Sequence, residues 1–301
     1  MMSGSAPDSG VLTGVFAVDK PRGFTSFDAV AKLRGILKTR KIGHGGTLDP
    51  LATGVLPIFV GKATKAVGLL TDTAKRYIAT ARFGLKTNTG DITGEVVEEK
   101  DALPDEGTLQ AALALFIGQS AQTPPMYSAL KVDGTRLYQL ARTGLTIERK
   151  PRLIEISSLK LLEFDPAKKE FTIDVCCSKG TYIRTLVEDI AEKAGALSTL
   201  TALKRIVCSG FTEEDSLELA EVRKRAEHGD YSFIKPVDTL FRDYREVVLD
   251  EEQERRFLSG VRVRSAGFAL EAEMLRVYGP GGFLALAKKS GGAVVSVARF
   301  V

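Results

Sequence analysis

Short apolar runs and amphipathic stretches follow one another along the first part of the chain. Residues 15–18 (VFAV) are uninterruptedly apolar, which is typical of a buried strand. Thr25 or Ser26 then precedes apolar residues at spacings of three and four, the pattern of a capped helix, namely Val30, Leu33 and Leu37. Residues 62–70 predict a second helix. This part of the chain therefore mixes strands and helices.

The central part continues the mixture in an irregular order. Residues 77–83 alternate, so one face of the predicted strand carries Tyr77, Ala79, Ala81 and Phe83. Residues 109–116 have helical spacing, residues 171–175 favour a strand, and residues 182–194 favour a helix that Gly195 ends. Because regular βαβ alternation is missing, we expect an α+β fold with a mixed, mainly antiparallel sheet and flanking helices.

Composition divides the chain into a tail and two units. Residues 1–12 are rich in Ser and Gly and predict a flexible tail, and residues 13–240 carry the mixed pattern. Within the larger unit, paired prolines, glycines and basic side chains over about 119–150 favour an excursion from the sheet. Residues 245–301 hold short apolar stretches separated by Gly-rich turns, which predict a small all-β unit, a compact barrel.

The charge of the chain is mildly basic. Lys and Arg number 42 against 38 Asp and Glu, a formal net charge of +4 with a sequence pI of about 8.8. Such an excess fits a nucleic-acid partner without requiring one. The cluster KTRK at residues 38–41 directly precedes the Gly-rich segment described below, and it favours a polyanionic substrate. The other basic pairs, Lys204-Arg205 among them, are interpreted as solvated surface.

Cysteine and histidine usage excludes two kinds of site. The three cysteines, two of them adjacent at Cys176 and Cys177, do not form a disulfide framework, so we expect reduced, buried thiols and a cytoplasmic location. The two histidines, His44 and His228, offer no plausible zinc site with them. We also expect no signal peptide in residues 1–10 and no membrane span.

The segment GHGGTLDPLATG at residues 43–54 is the richest in candidate chemistry. It sets one carboxylate, Asp49, between a glycine-flanked histidine and a proline. Glycine allows close backbone approach and proline fixes φ, so such a loop can hold an acid rigidly where a nucleophile or base is useful. An ordinary Asp-Pro turn is the alternative interpretation, and turn chemistry alone favours it.

The sequence of this segment closely resembles the Gly-His-x-Gly-x-Leu-Asp-Pro-x-Ala-x-Gly signature of the TruB family. Members of this family are bacterial synthases that make pseudouridine in the T loop of transfer RNA. Further motifs follow in family order. They are VDKPRGFTS at residues 18–26, KRY at 75–77, TNTGDITG at 87–94, PPMYSALK at 124–131 and CSKGTYIRTL at 177–186. Together they span most of the chain, which makes the set far more specific than one motif.

The resemblance implies a pseudouridine-synthase fold with a thumb over about 119–150 and a C-terminal PUA-like RNA-binding domain. It implies Asp49 as the catalytic carboxylate, Arg184 as its ion-pair partner, and Tyr77 as the residue that stacks on the target uracil. Asp91 would complete an acid–arginine network. Further substrate-binding residues would be His44, Tyr182, Leu203 and Lys20, although an exposed lysine after a strand is an equally good interpretation of Lys20.

The implied reaction breaks the bond from uracil N1 to ribose C1′ and joins C1′ to C5, so it needs no cofactor and no metal. We expect a stand-alone monomer that acts on the T stem-loop of tRNA without a membrane or an obligatory protein partner. Three alternatives remain: a guide-RNA-dependent synthase, an RNA-folding chaperone, and a glycoside hydrolase. No second carboxylate pairs with Asp49 at a spacing that supports the last of these.

Overall fold

A computed structural model describes residues 12–70, 74–132, 134–264 and 273–301. The tail expected over residues 1–12 lies outside the described residues except for Leu12. The strands of the larger unit are β1 (Gly14–Lys20), β2 (Ile42–His44), β3 (Thr53–Val60), β4 (Lys75–Phe83), β5 (Leu85–Thr87), β6 (Val96–Glu99), β7 (Gly118–Gln122), β8 (Lys131–Val132), β9 (Thr135–Arg136), β10 (Arg152–Asp165), β11 (Glu170–Cys177), β12 (Ser198–Cys208), β13 (Phe211–Thr212) and β14 (Ser216–Glu218).

One mixed sheet of ten described strands organises the larger unit. Its order is β14-β1-β3-β12-β4-β11-β10-β7, with β13 paired to β12 and β2 paired to β3. The pairs β1/β14 and β3/β12 are parallel, and the other pairs in this sheet are antiparallel. The mixed, mainly antiparallel α+β fold predicted from the sequence is therefore confirmed.

Helices pack beside this sheet and in the C-terminal unit. They are α1 (Ser26–Ile36), α2 (Glu106–Ala114), α3 (Leu137–Arg142), α4 (Ile183–Lys193), α5 (Leu219–Glu227) and α6 (Glu251–Leu258). Residues Gly61–Leu69 and Val237–Phe241 form 3₁₀ helices, so the helix expected over 62–70 is present in the tighter form. No helix among the described residues is long and apolar enough to cross a membrane.

The local patterns explain why these elements form. The Thr25 hydroxyl accepts the backbone N–H of Asp28 at 3.0 Å, and the Asp28 carboxylate accepts the Thr25 N–H at 2.9 Å, so Thr25 rather than Ser26 caps α1. In β4 the alternating set from Tyr77 to Phe83 is buried. The Phe83 and Phe171 rings lie 4.7 Å apart between centroids and join β4 to β11. Each large apolar side chain buried in this way stabilises the fold by about 1.5–3 kcal/mol.

The thumb-like segment leaves the sheet between β7 and β10. It contains the β8/β9 hairpin and α3, and residue 133 within it lies outside the described residues. The expected start near residue 119 falls within β7, whose residues 118–122 pair with residues 152–156 of β10. The excursion in the structure therefore begins after Gln122.

The C-terminal unit is a five-stranded sheet in the order β15-β17-β18-β19-β16, which curls into a half-barrel as expected of a PUA-like domain. Its strands are β15 (Arg245–Val248), β16 (Val263–Arg264), β17 (Met274–Gly279), β18 (Gly282–Ser290) and β19 (Ala293–Arg299). The expectation of an all-β unit was wrong, because α6 packs Phe257 into the core of this unit. Leu286 and Phe300 join a core cluster with Phe59 of β3, which links the two units.

Candidate active site

The loop between β2 and β3 presents Asp49, and helix α1 fixes its position. The buried Ser26 hydroxyl accepts the backbone N–H of Leu48 at 2.8 Å and donates to the Leu48 carbonyl at 3.2 Å. The N–H of Gly23 donates to the Pro50 carbonyl at 2.8 Å. Because the residues on both sides of Asp49 are anchored, the carboxylate stands on a rigid loop, as the Gly/Pro pattern predicted.

Arg205 of β12 also binds this loop. The guanidinium is fully buried on β12 and donates to the backbone carbonyls of Val55 at 2.8 Å, Gly46 at 3.1 Å and Thr47 at 3.4 Å. Since hydrogen bonds from a charged donor are stronger than neutral ones, they fix the loop firmly. The interpretation of Lys204-Arg205 as solvated surface was therefore wrong for Arg205.

Asp49 forms an ion pair with Arg184 of α4. The Arg184 Nε atom lies 2.9 Å from Oδ2 of Asp49, and the side chains are 4% and 37% exposed, respectively. The other Arg184 nitrogens donate to the carbonyl of Thr89, in a short hydrogen bond, and to that of Tyr127 at 2.7 Å. Arg184 thus ties the Asp49 loop to the turn at residues 87–94 and to the base of the thumb, while Asp49 keeps an open side.

Asp91 lies close to this network without pairing with Arg184 in the described structure. Its Oδ1 atom accepts hydrogen bonds from the Thr93 N–H at 3.0 Å, from the Thr93 hydroxyl and from the Thr89 hydroxyl at 3.2 Å. Arg184 reaches the same turn through the Thr89 carbonyl. Asp91 is therefore connected to Arg184 indirectly, because it shapes the turn that Arg184 binds.

Tyr77 and Leu203 lie on one face of the sheet with Arg205. Leu203 and Arg205 are alternate residues of β12 and pair with Ala79 and Tyr77 of β4. Tyr77 and Leu203 are both buried. Burial raises the pKa of Tyr77 to about 12, so its hydroxyl stays protonated at neutral pH. This face offers an aromatic ring and an aliphatic side chain beside a charged one.

Lys20 is fully buried at the end of β1. Its amine donates to the carbonyls of Phe24 at 2.6 Å and Pro21 at 2.9 Å. Burial lowers the pKa of Lys20 to about 8, against the attraction of Asp49. The interpretation of Lys20 as an exposed lysine was wrong, since its amine holds the turn that leads into α1.

His44 and Tyr182 border the loop from two directions. His44 ends β2, and its buried Nδ1 atom has no hydrogen-bond partner in the described residues. Burial and the charge of Arg205 both lower the pKa of His44, so the ring is neutral at neutral pH. The backbone N–H of Tyr182 donates to Oε1 of Gln122 at 2.8 Å, which attaches the start of α4 to β7. Burial raises the pKa of the half-buried Tyr182.

Comparison with known proteins decides the family. The model of the TruB family pseudouridylate synthase N-terminal domain matches residues 34–183. A protein of Shouchella clausii named tRNA pseudouridine synthase B is 44% identical over 262 residues, which cover 85% of this chain and 87% of that protein. One of the same name from Cupriavidus pinatubonensis is 43% identical over 289 residues, covering 93% and 92%. The chain belongs to the TruB family.

Solved structures agree with this TruB-family fold. An H/ACA RNP bound to a substrate RNA containing 2′-deoxyuridine matches with a TM-score of 0.71 at 22% identity. A Cbf5-Nop10-Gar1 complex matches with a TM-score of 0.72 at 24% identity. Each match covers 96% of this chain and 85% of the solved one. At this identity the likeness shows the fold, which is the pseudouridine-synthase fold that the motifs implied.

Two residues of this site, Arg205 and Lys75, were not predicted from the sequence to belong to it. Arg205 was noted only as half of a basic pair, and Lys75 only as the first residue of a motif. A signal for Arg205 was present, because it stands two residues after Leu203 in a strand and so shares its face. For Lys75 the alternation with Tyr77 gives the same signal.

Proposed function

We propose that this TruB-family chain isomerises uridine to pseudouridine in the T loop of tRNA, with Asp49 as the catalytic carboxylate. The observation that carries the proposal is the Asp49 carboxylate itself, which is paired with the buried Arg184 and still 37% exposed. Its loop is bonded to Arg205, which shares a sheet face with Tyr77 and Leu203. A carboxylate that is anchored, paired with a cation and accessible from one side suits attack on a sugar carbon. Relatives named tRNA pseudouridine synthase B support tRNA as the substrate.

The reaction rearranges one nucleotide without loss of a group. The bond from uracil N1 to ribose C1′ breaks, the base turns, and C1′ joins to C5. The proton on C5 is then lost and N1 takes up a proton, so the overall composition is unchanged. The Asp49 carboxylate has two possible first roles, which are attack on C1′ to form a covalent ester and removal of the C2′ proton to form a glycal. In both roles Arg184 orients the carboxylate through Nε, because its other nitrogens are fixed by the Thr89 and Tyr127 carbonyls.

The target base must leave the T loop before Asp49 can reach its sugar. Extruding a nucleotide costs a few kcal/mol. Stacking the base on Tyr77 returns about 1–3 kcal/mol, which offsets a substantial part of that cost. Leu203 and Tyr182 form further walls of the pocket in this proposal, and neutral His44 contacts the opened loop of the RNA. Asp91 and Lys20 act indirectly, since each holds a turn next to the loop or to Arg184.

The test is incubation of the purified chain with unmodified tRNA transcript, followed by mapping of pseudouridine. Asp49→Asn is expected to abolish product formation while RNA affinity stays within a few-fold. Asp101→Asn is the matched control, because Asp101 is an exposed carboxylate paired with Lys169 on the surface. Pseudouridine made by the Asp49→Asn variant at the rate of the unaltered chain would refute the catalytic assignment.

The same assay separates the alternatives. We propose a stand-alone monomer that acts in the cytoplasm, so bare transcript must be modified without any guide RNA or further protein. A guide-dependent synthase would leave that transcript unmodified, and a chaperone would accelerate tRNA folding in the unaltered chain without making product. Light scattering of the free chain and of its complex with tRNA tests the monomer.

A further inference from the structure

The amine of Lys75 lies beside the Asp49 loop. Lys75 begins β4 two residues before Tyr77, so both side chains lie on the same face of the sheet at a spacing of about 7 Å along the strand. Its neighbours across the sheet are Cys177 of β11 and Cys208 of β12. A side chain added at Gly46 would place its Cβ 3.4 Å from the Lys75 Nζ atom. The amine therefore lies against Gly46, in the loop that carries Asp49.

This amine has no anionic partner in the part of the chain that the structure describes. The groups that act on it most strongly are the thiols of Cys208 and Cys177 and the Arg205 guanidinium. Burial raises the pKa of Cys177 to about 11, so that thiol is uncharged at neutral pH. Arg205 adds a positive charge close to Lys75, and Lys179 adds another with a smaller effect. Positive charge thus accumulates on this side of the loop.

A half-buried ammonium without a counter-ion is unfavourable, because burial removes water that the charge needs. Burial accordingly lowers the pKa of Lys75. Lys20, the other buried amine of the site, differs because its hydrogen bonds to Phe24 and Pro21 satisfy it. A partner for Lys75 must then come from the bound substrate, and the anionic group that every RNA strand carries is the phosphodiester.

We propose that Lys75 binds a phosphodiester of the RNA strand next to the extruded uridine. The inference rests on the proposed function and adds to it a specific contact with the backbone. Lys75 and Ala79 lie on opposite sides of Tyr77 along β4. A phosphodiester bound by Lys75 holds the RNA strand at the Lys75 side of Tyr77, and this contact fixes the position of the sugar relative to Asp49. Lys75 is thus a substrate-binding residue.

The first test measures RNA affinity as a function of salt. Lys75→Met keeps most of the stem and removes the charge, and it is made in the Asp49→Asn background so that the RNA stays unmodified. Loss of one phosphate contact is expected to reduce the slope of log Kd against log salt concentration by about 0.7. When the salt concentration rises tenfold, the affinity of the Lys75→Met protein for RNA should therefore fall by a factor about five times smaller than that of the lysine-containing protein. Lys168→Met is the control, because Lys168 lies in the β10–β11 turn and pairs with Asp165.

The second test identifies the phosphate. Stem-loop RNAs that each carry one neutral methylphosphonate linkage near the target uridine are titrated against both proteins. At one linkage, the methylphosphonate is expected to raise the Kd of the lysine-containing protein by the same factor as the Lys75→Met substitution does with unmodified linkages. The same methylphosphonate is expected to leave the Kd of the Lys75→Met protein unchanged. Equal losses for both proteins at every linkage would overturn the proposal.

Folding and function are kept apart by two further readouts. The Tm of Lys75→Met is expected to be unchanged or higher, since an unpaired buried charge is removed. If the methionine disturbs the packing, Lys75→Gln is used in place of Lys75→Met. The same reduction in the slope of log Kd against log salt concentration is expected for it. An unchanged salt slope, together with reduced turnover when Lys75→Met is made with Asp49 intact, would instead assign Lys75 to positioning Gly46. Pseudouridine formation by the unaltered chain, measured in parallel, shows whether the proposed function itself fails.

Discussion

Arg184→Met is the sharpest test of the site, because it removes the cation at the centre of the network and keeps an unbranched side chain. It leaves the Asp49 carboxylate without its partner and the carbonyls of Thr89 and Tyr127 without a donor. Removing one member of a buried ion pair costs about 3–5 kcal/mol. The lower end applies here, since the Asp49 side chain is 37% exposed and water can take the place of the guanidinium.

A loss of about 3 kcal/mol predicts a fall in Tm of roughly 6–12 °C, at about 2–4 °C per kcal/mol for a chain of this size class. Activity is expected to fall further. The carboxylate loses the group that orients and balances its charge, and loss of one such preorganised partner costs about 10²–10³ in kcat. Thermal melting by circular dichroism and single-turnover pseudouridine formation at a temperature where the variant is folded measure the two effects.

A double-mutant cycle with Asp49→Asn separates the ion pair from the carbonyl contacts. Coupled neighbours show interaction energies of about 0.5–3 kcal/mol, so Arg184→Met is expected to cost less stability when Asp49 is already Asn. Arg184→Lys keeps the charge but loses the three-way contact, and it is expected to recover part of the Tm. The reasoning would be refuted if Arg184→Met changed Tm by less than about 2 °C, or cost the same in both backgrounds.

Three further predictions concern the surroundings of the loop. Gly54→Ala is expected to abolish soluble expression, because φ is +97° and an added Cβ would lie 2.2 Å from the Arg205 carbonyl; Gly68→Ala, with open space, is the control. Asp91→Ala is expected to cost about 2 kcal/mol of stability and to slow turnover without changing RNA affinity, which melting and single-turnover assays check; wild-type turnover would contradict the indirect role. Burial raises the pKa of Glu188 to about 7, so stability present below about pH 4.5 is lost as the pH rises to 7. Glu188→Gln is expected to flatten that part of a Tm-against-pH curve, and an unchanged curve would show that Glu188 is not the group responsible.

The parts of the fold that follow from local chemistry were predictable from the sequence. The cap at Thr25 and the alternation along β4 depend on neighbours within a few residues, and both are present as expected. The pairing of Asp49 with Arg184 joins residues 135 positions apart, so only the family resemblance pointed to it. Periodicity gives no information on such a contact.

Helix α6 was not predicted because its sequence has almost no apolar face. Of its residues Glu251–Leu258, only Phe257 is buried, and the rest are mostly charged. An apolar stripe is what identifies a surface helix in a sequence, and this one has almost none. Its capping box, in which Asp250 and Gln253 bond to each other's backbone N–H, was the available signal.

Arg205 shows why the chemistry of a site is harder to predict than its fold. A charged residue is usually solvated, so a lone basic pair on a strand is expected at the surface. Burial of the guanidinium becomes favourable only because the Gly46, Thr47 and Val55 carbonyls, about 150 residues earlier in the chain, converge on it. The Gly46 and Thr47 carbonyls belong to a Gly-rich loop that is itself irregular, and the Val55 carbonyl belongs to β3. Loop and arginine therefore need each other: without Arg205 the carbonyls lack donors, and without the loop the cation lacks acceptors. That mutual dependence makes the position of Asp49 a property of the assembled sheet rather than of its own motif.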